Sequence, residues 1–149
     1  MVVINQEFKY SFIQKPTDVI SEMSLFERIK REIPEGTILS TPARPKPFTL
    51  RSYQADSLTF SVGEKHNLIT VPKECWDRIP TFLRGRDWVI VGQKHDRAEY
   101  GTFDEFLDSI QLPNQHRHPD WASYVLPVLV RLKVIDAEIK PRTRIRLRR

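Results

Sequence analysis

The chain closes with the stretch VIDAEIKPRTRIRLRR, residues 134–149, in which two alternating segments flank a proline. Val134–Ile139 and Thr143–Leu147 alternate between apolar and polar side chains with the period of two that is typical of β-strands. Lys140-Pro141-Arg142 between them is a turn signal. The stretch therefore predicts an antiparallel hairpin, and we expect the compact apolar run Trp88–Val91 to lie in the same sheet.

The second strand of this hairpin has arginine at every even-numbered position, namely Arg142, Arg144, Arg146 and Arg148. Because successive side chains of a strand point to opposite faces, this spacing places four guanidinium groups about 6–7 Å apart on one face. Ile145 and Leu147 then hold the strand to the core from the other face. Phosphates along one DNA strand have a similar spacing and accept paired hydrogen bonds from arginine. These arginines and Lys140 are therefore predicted nucleic-acid-binding residues.

Other interpretations of the arginine row stay open at the level of sequence. An acidic protein surface would bind the same row, which makes a protein–protein adaptor subunit the leading alternative function. The row also suits an edge strand whose charges prevent aggregation, although that purpose needs only one or two cations and lysine is the commoner choice. The final alternative is a disordered tail.

The charge of the chain is concentrated at this end. The 149 residues have a formal net charge of +5, and residues 140–149 contain six basic groups and no acidic one, so the remainder has a net charge of −1. A focused positive field attracts a polyanion, an acidic protein or an anionic membrane. No apolar run approaches the roughly 20 residues of a membrane span, and no signal-peptide pattern is visible. We expect a cytoplasmic protein with no membrane contact, whose partner is nucleic acid, DNA more than RNA.

Three helices are predicted before the hairpin. Pro72 suits a first helical turn, and Trp76, Ile79, Phe82 and Leu83 follow at helical spacing, although Pro80 predicts a kink or an early end. A capping box at Thr102 starts the second helix, which we expect to end near Gln111 and to bury four side chains together, namely Phe103, Phe106, Leu107 and Ile110. The third runs from Trp121 to Leu132, where Pro127 predicts a kink or a junction of two shorter helices.

The order helix, strand, helix, helix, strand, strand over Thr70–Arg149 resembles the winged helix-turn-helix superfamily. The resemblance rests on element order and covers about half of the chain. It implies that the third helix enters the major groove of DNA and that the closing hairpin, the wing, lies along the backbone or the minor groove. Asn114, Gln115 and Arg117 precede that helix, where such proteins present base-reading groups, and their side chains suit adenine and guanine edges. The alternative for these three residues is a solvated loop.

The first half of the chain predicts a helix and a small sheet. Met1–Lys15 is expected to form a strand or an ordered arm, and a capping box at Ser24 starts a short helix that Pro34 ends. A period of two then predicts four short strands as a meander or a small partly open barrel, at Thr37–Thr41, Phe48–Tyr53, Leu58–Val62 and Leu68–Val71. The predicted class is α+β, with an arm and helix in residues 1–35, a β layer in 36–71 and a winged-helix-like module in 72–149, or one compact unit.

One pattern indicates an enzyme. Pro119-Asp120 followed by Glu138-Ile139-Lys140 matches the PD…ExK arrangement of nucleases, in which two carboxylates hold Mg²⁺ and a lysine orients water. Asp120 precedes a predicted helix and is better interpreted as its cap, so a nuclease is the least favoured function. No phosphate-binding glycine loop, nucleophile elbow or zinc-ligand pattern occurs. We therefore expect a non-catalytic protein with no cofactor and no bound metal.

Overall fold

The computed structural model describes residues 23–92, 101–110 and 120–148. Several predictions fall outside these ranges: the arm at Met1–Lys15, the end of the second predicted helix at Gln111, and the candidate base-reading residues Asn114, Gln115 and Arg117. The described residues form an α+β fold, as the sequence predicts.

The first helix, α1, spans Leu25–Glu32 and begins at the predicted capping residue, where the amide of Glu27 donates to Ser24 Oγ at 3.2 Å. Its apolar side chains are buried as expected, with Phe26 and Ile29 at 0% exposure. The amide of Phe26 donates to Asp77 Oδ1 at 2.9 Å, a bond that ties this helix to the second half of the chain.

The four strands predicted between residues 37 and 71 are all present. They are β1 (Ile38–Ser40), β2 (Pro47–Tyr53), β3 (Ser57–Val62) and β4 (Asn67–Pro72). Each pairs antiparallel with the next, so they form an open meander with β1 and β4 at its edges. Phe48, Leu50 and Phe60 lie on the buried face, because residues two apart on a strand share a face.

The second half has the element order that the sequence predicts. It comprises α2 (Lys73–Leu83), β5 (Val89–Ile90), α3 (Phe103–Ile110), α4 (Trp121–Arg131), β6 (Ile135–Glu138) and β7 (Arg144–Leu147). The three strands form one antiparallel sheet in the order β5-β7-β6, so the predicted hairpin and its third strand are confirmed.

The predicted cap and stripe of α3 are also confirmed. The amide of Glu105 donates to Thr102 Oγ1 at 3.2 Å, and Glu105 Oε1 accepts in return from the amide of Gly101 at 2.9 Å. Phe103, Phe106 and Leu107 are buried, and Ile110 is half-buried against the same core.

Of the alternatives that the sequence left open at two internal prolines, an early end at Pro80 and a junction of two helices at Pro127 do not occur. The helix α2 does not end at Pro80 but continues to Leu83, and the amide of Arg84 donates to the Pro80 carbonyl at 2.9 Å. Burial of Ile79 and Leu83 at 0% exposure accounts for the continuation, since tertiary packing offsets the missing amide. Pro127 lies within the single helix α4, so two separate helices do not form there.

The buried side chains make one continuous cluster that includes residues of both sheets and all four described helices. Phe60 of β3 packs edge-on against Trp76 of α2, and Tyr124 of α4 packs edge-on against Phe48 at 5.0 Å between ring centroids. The first sheet therefore covers one side of α4.

Candidate nucleic-acid interface

The arginine-rich strand β7 is the central strand of its sheet. Residue pairing places Ile145 beside Val89 on one side and beside Ala137 on the other. Ile145 is fully buried and Leu147 is half-buried against the core, so the even-numbered arginines occupy the opposite face. Because β7 is paired on both sides at Arg144 and Ile145, protection of a sheet edge does not explain the arginine at position 144.

Acidic residues of the neighbouring strand lie opposite these arginines. Glu138 pairs in register with Arg144, and its Oε1 accepts from Arg144 Nε at 2.8 Å and Nη2 at 2.6 Å. Asp136 pairs with Arg146, with 3.3 Å between Arg146 Nε and Asp136 Oδ2. The arginine row is thus partly neutralised within the fold, which the sequence interpretation did not include.

An aromatic ring lies beneath both guanidinium groups. Trp88 is half-buried directly before β5, and the guanidinium carbons of Arg144 and Arg146 lie 4.6 and 4.4 Å from its ring centre. Asp87 adds a second carboxylate to Arg146, at 3.5 Å from Nη1. Stacking and ion pairing together restrict the two arginines to a fixed geometry on the outer face of the sheet.

The cations at the ends of the row are less constrained. Lys140 and Arg148 are exposed, and within the described ranges neither has a carboxylate in ion-pair distance. Arg142 is half-buried at the start of the row.

The turn before β5 lies next to the arginine face, because its Asp87 forms an ion pair with Arg146. That turn also carries exposed Arg84 and Arg86, and Arg86 stacks on Phe82 at 4.5 Å. Basic groups therefore outnumber acidic ones on the face.

The third helix of the module offers little to a polar ligand. Its described residues are mostly buried, and its exposed side chains are Val130 and Arg131 at the C-terminal end. Ser123 and Tyr124, nearer the N-terminus, are half-exposed. Any contact of this helix with bases would have to come from the connection between α3 and α4. That connection contains Asn114, Gln115 and Arg117, which lie outside the described residues.

The residues of the nuclease pattern have other roles. Asp120 caps α4, where its Oδ1 accepts from the amide of Ser123 at 3.4 Å and its Oδ2 accepts from the Ser123 hydroxyl. Glu138 is the ion-pair partner of Arg144, and Lys140 is exposed in the following turn. Across residues 23–92, 101–110 and 120–148, no group of three or more histidine, cysteine, aspartate or glutamate side chains is placed to hold a metal.

One acidic residue that the sequence interpretation passed over lies in a cleft. Asp104 and Asp120 line a cavity of about 580 Å³, facing Arg44 and Lys46 of the proline-rich connection between β1 and β2. Burial raises the pKa of Asp104 to about 7, and the charges of Asp120 and Asp108 add to the rise.

A glycine makes room for the Asp104 carboxylate. Gly92 has φ +126°, and a Cβ there would lie 2.5 Å from Asp104 Oδ2. The sequence signal is Gly92 itself, a glycine that directly follows the strand-forming run Trp88–Val91.

Comparisons with protein-family models, with curated proteins and with solved structures find no match to this chain. Within its described parts, no helix is both long enough and apolar enough to cross a membrane.

Proposed function

We propose that this chain is a non-catalytic nucleic-acid-binding protein that contacts the phosphate backbone, of DNA before RNA, through the outer face of its β5-β7-β6 sheet. The observation that carries the proposal is the central strand β7, on which Arg144 and Arg146 lie side by side over Trp88. Exposed Lys140 and Arg148 extend the row at both ends. Because β7 is the middle strand of its sheet and is paired on both sides at Arg144 and Ile145, protection of an exposed edge is a weak explanation for a row of four arginines.

The internal ion pairs leave the row able to bind a phosphate. Arginine has five N–H donors, and Glu138 accepts from only two nitrogens of Arg144, through a single oxygen. The side chains of this pair are 37% and 45% exposed, and ion pairs open to water to that extent are worth only about 0–1 kcal/mol. A phosphate that approaches the face can therefore share or replace the carboxylate at small cost.

The topology supports the likeness to winged helix-turn-helix proteins, with a different contact surface. Element order and the strand order β5-β7-β6 agree with a closing hairpin in the wing position. The third helix, α4, has the first sheet against one side. We therefore assign the main contact to the sheet and the hairpin, with Arg84 and Arg86 beside them, and propose backbone contact rather than base reading as the main source of affinity.

The test is the salt dependence of binding to duplex DNA of arbitrary sequence. Replacing Arg144, Arg146 and Arg148 with Ala should lower the slope of log affinity against log salt by about 2–3, at about 0.9 for each lost phosphate contact. The matched variant Glu138→Gln keeps the side-chain shape and removes a competing carboxylate, so it should bind more tightly than the parent. Circular dichroism and urea unfolding would check that each variant is folded.

An acidic protein is the second candidate partner, because the ligands that Arg144 and Arg146 already hold are carboxylates. In that case the chain is an adaptor subunit. Absence of duplex binding even at low salt, or an unchanged salt slope in the triple alanine variant, would remove the nucleic-acid proposal and leave the adaptor in first place.

A further inference from the structure

The cavity beside Asp104 is distinct from the proposed nucleic-acid face. It has a volume of about 580 Å³, within the range of about 300–1,000 Å³ that is typical of pockets for small organic ligands. The described residues that line it include neither the arginines of β7 nor the carboxylates paired with them. Its apolar wall comes from both halves of the chain, namely from Pro42, Val91, Ala122 and Leu126. The cavity is therefore a separate candidate site.

The acidic side of the cavity contains two carboxylates with different bonding. Asp120 is engaged as the cap of α4, where it accepts from the amide and the hydroxyl of Ser123. Asp104 is half-buried in the first turn of α3, and among the described residues its carboxylate has no ion-pair partner. Since a Cβ at Gly92 would lie 2.5 Å from Asp104 Oδ2, the glycine is what allows the carboxylate to occupy this place. Its negative charge is thus held at the wall without a balancing cation nearby.

The basic side of the cavity comes from the connection between β1 and β2. Arg44 and Lys46 both line the cavity and both are exposed. Thr41 holds this connection in place, because its hydroxyl donates to the Arg44 carbonyl at 2.7 Å and accepts from the Lys46 amide at 3.0 Å. In the part of the chain that the structure describes, neither cation has a carboxylate within ion-pair distance. The cavity therefore contains charges of both signs that do not reach one another.

We propose that this cavity binds a small organic zwitterion, whose ammonium group lies at Asp104 and whose carboxylate lies at Arg44 and Lys46. Such a ligand balances two sets of charges that the side chains of the protein leave apart. A simple anion would share the cavity with two aspartates, and a simple cation would share it with two basic groups. Either would therefore gain less from the cavity than a ligand that has both charges.

The charge state of Asp104 links this binding to pH. The carboxylate shares the cavity with Asp120 of α4 and with the two cations of the β1–β2 connection, and Asp108 lies one turn along its own helix. Burial and the charges of these two aspartates raise the pKa of Asp104 to about 7. Because an ammonium group favours the ionised carboxylate, affinity should rise between pH 6 and pH 8.

The experiment titrates the full chain, by isothermal titration calorimetry, with β-alanine, 4-aminobutanoate, 5-aminopentanoate and 6-aminohexanoate. These compounds differ in the distance between their two charges, and both charges stay constant between pH 6 and pH 8. The matched controls are the alkylamine and the alkanoate with the same number of carbons. At pH 8, at least one of the four zwitterions should bind saturably and about tenfold more tightly than either of its controls, as expected for one added charge-assisted hydrogen bond.

Three variants test where that zwitterion binds. Asp104→Asn should weaken its binding about tenfold at pH 8 and should remove the rise in affinity between pH 6 and pH 8. The double variant Arg44→Gln with Lys46→Gln should bind the zwitterion no more tightly than the alkylamine. Lys65→Gln is the matched control, because Lys65 is exposed between β3 and β4 and does not line the cavity. It should leave the affinity unchanged, and urea unfolding would check that each variant is folded.

Either of two results would overturn the proposal. The first is that none of the four zwitterions binds more tightly than both of its singly charged controls. The second is an affinity that is the same in the parent and in Asp104→Asn, or that falls as much in Lys65→Gln as in the double variant. Loss of duplex DNA binding in the triple alanine variant of β7 is a separate measurement on other residues, so one proposal can fail while the other stands.

Discussion

The two sheets of this molecule carry very different side chains on the faces turned away from the core. On the first sheet, hydroxyl and amide groups bond across the strands: Thr59 lies 3.0 Å from both the Thr70 hydroxyl and Gln54 Oε1. On the second, arginines, carboxylates and an indole ring occupy the corresponding surface. Neutral hydrogen bonds respond little to salt, whereas exposed ion pairs are screened by it. The comparison indicates that the side chains on the outer face of the first sheet stabilise the sheet by bonding to one another. Those on the outer face of the second sheet are suited to charged ligands.

The largest expected effect is on the buried side of the second sheet. Ile145→Ala should lower the free energy of unfolding by about 2–5 kcal/mol, because the side chain is fully buried and truncation leaves a cavity. Leu147→Ala, at a half-buried position of the same strand, should cost less. Urea unfolding measures both. Equal small losses would mean that β7 is held by its ion pairs rather than by its apolar ridge.

A pH-dependent effect is expected at the end of β5, where Asp104 packs against Gly92. Its pKa in the folded state is raised to about 7, so the folded state holds the proton more tightly than the unfolded chain does. Stability should therefore be greatest below about pH 4 for this group and should fall as the pH rises to about 7. Above that, Asp104→Asn should be the more stable form, on the order of 1–2 kcal/mol after allowance for partial exposure.

Unfolding in urea at pH 5 and pH 8 tests this expectation. The advantage of Asp104→Asn over the parent should be clearly larger at pH 8. An advantage that does not change between the two pH values would show that the carboxylate is not protonated in the folded state near neutrality.

A smaller effect should come from the ion pair between Arg144 and Glu138. A double-mutant cycle with Arg144→Ala and Glu138→Ala should give a coupling free energy of about 0.2–1 kcal/mol, and this coupling should shrink in molar salt. The matched cycle on the first sheet, Thr59→Val with Thr70→Val, should give a coupling that salt does not change. Equal salt responses in the two cycles would remove the contrast between the sheets.

Local sequence signals predicted most of the elements. Thr102 and Ser24 identified their helix starts, and the alternation in residues 134–147 identified the hairpin, because caps and strand periods involve only neighbouring residues. The sequence left open whether α2 ends at Pro80 or continues past it, since the answer depends on the packing of Leu83 against distant residues.

The candidate site was predicted in part. The outward position of the arginines follows from the buried Ile145, but their ion pairs depend on cross-strand register. The sequence did contain a signal for them, because Asp136 and Glu138 alternate on one strand as the arginines do on the next. Trp88 and Asp87 reach the row through pairing of β5 with β7. The sequence predicted that Trp88–Val91 joins this sheet, but not that it lies beside the arginine-rich strand.

The carboxylates interleaved with the arginine row also determine how far its electric field extends. Close pairs of opposite charge largely cancel one another beyond a few ångströms, so a distant polyanion experiences mainly the described basic groups outside these pairs, among them Lys140, Arg148, Arg84 and Arg86. Encounter with a ligand should then be only modestly accelerated by electrostatic steering, with association rates nearer the unsteered range of about 10⁵–10⁶ M⁻¹s⁻¹. Under the proposed function, the middle of the row should act after contact, where it should lengthen the lifetime of the complex rather than hasten its formation.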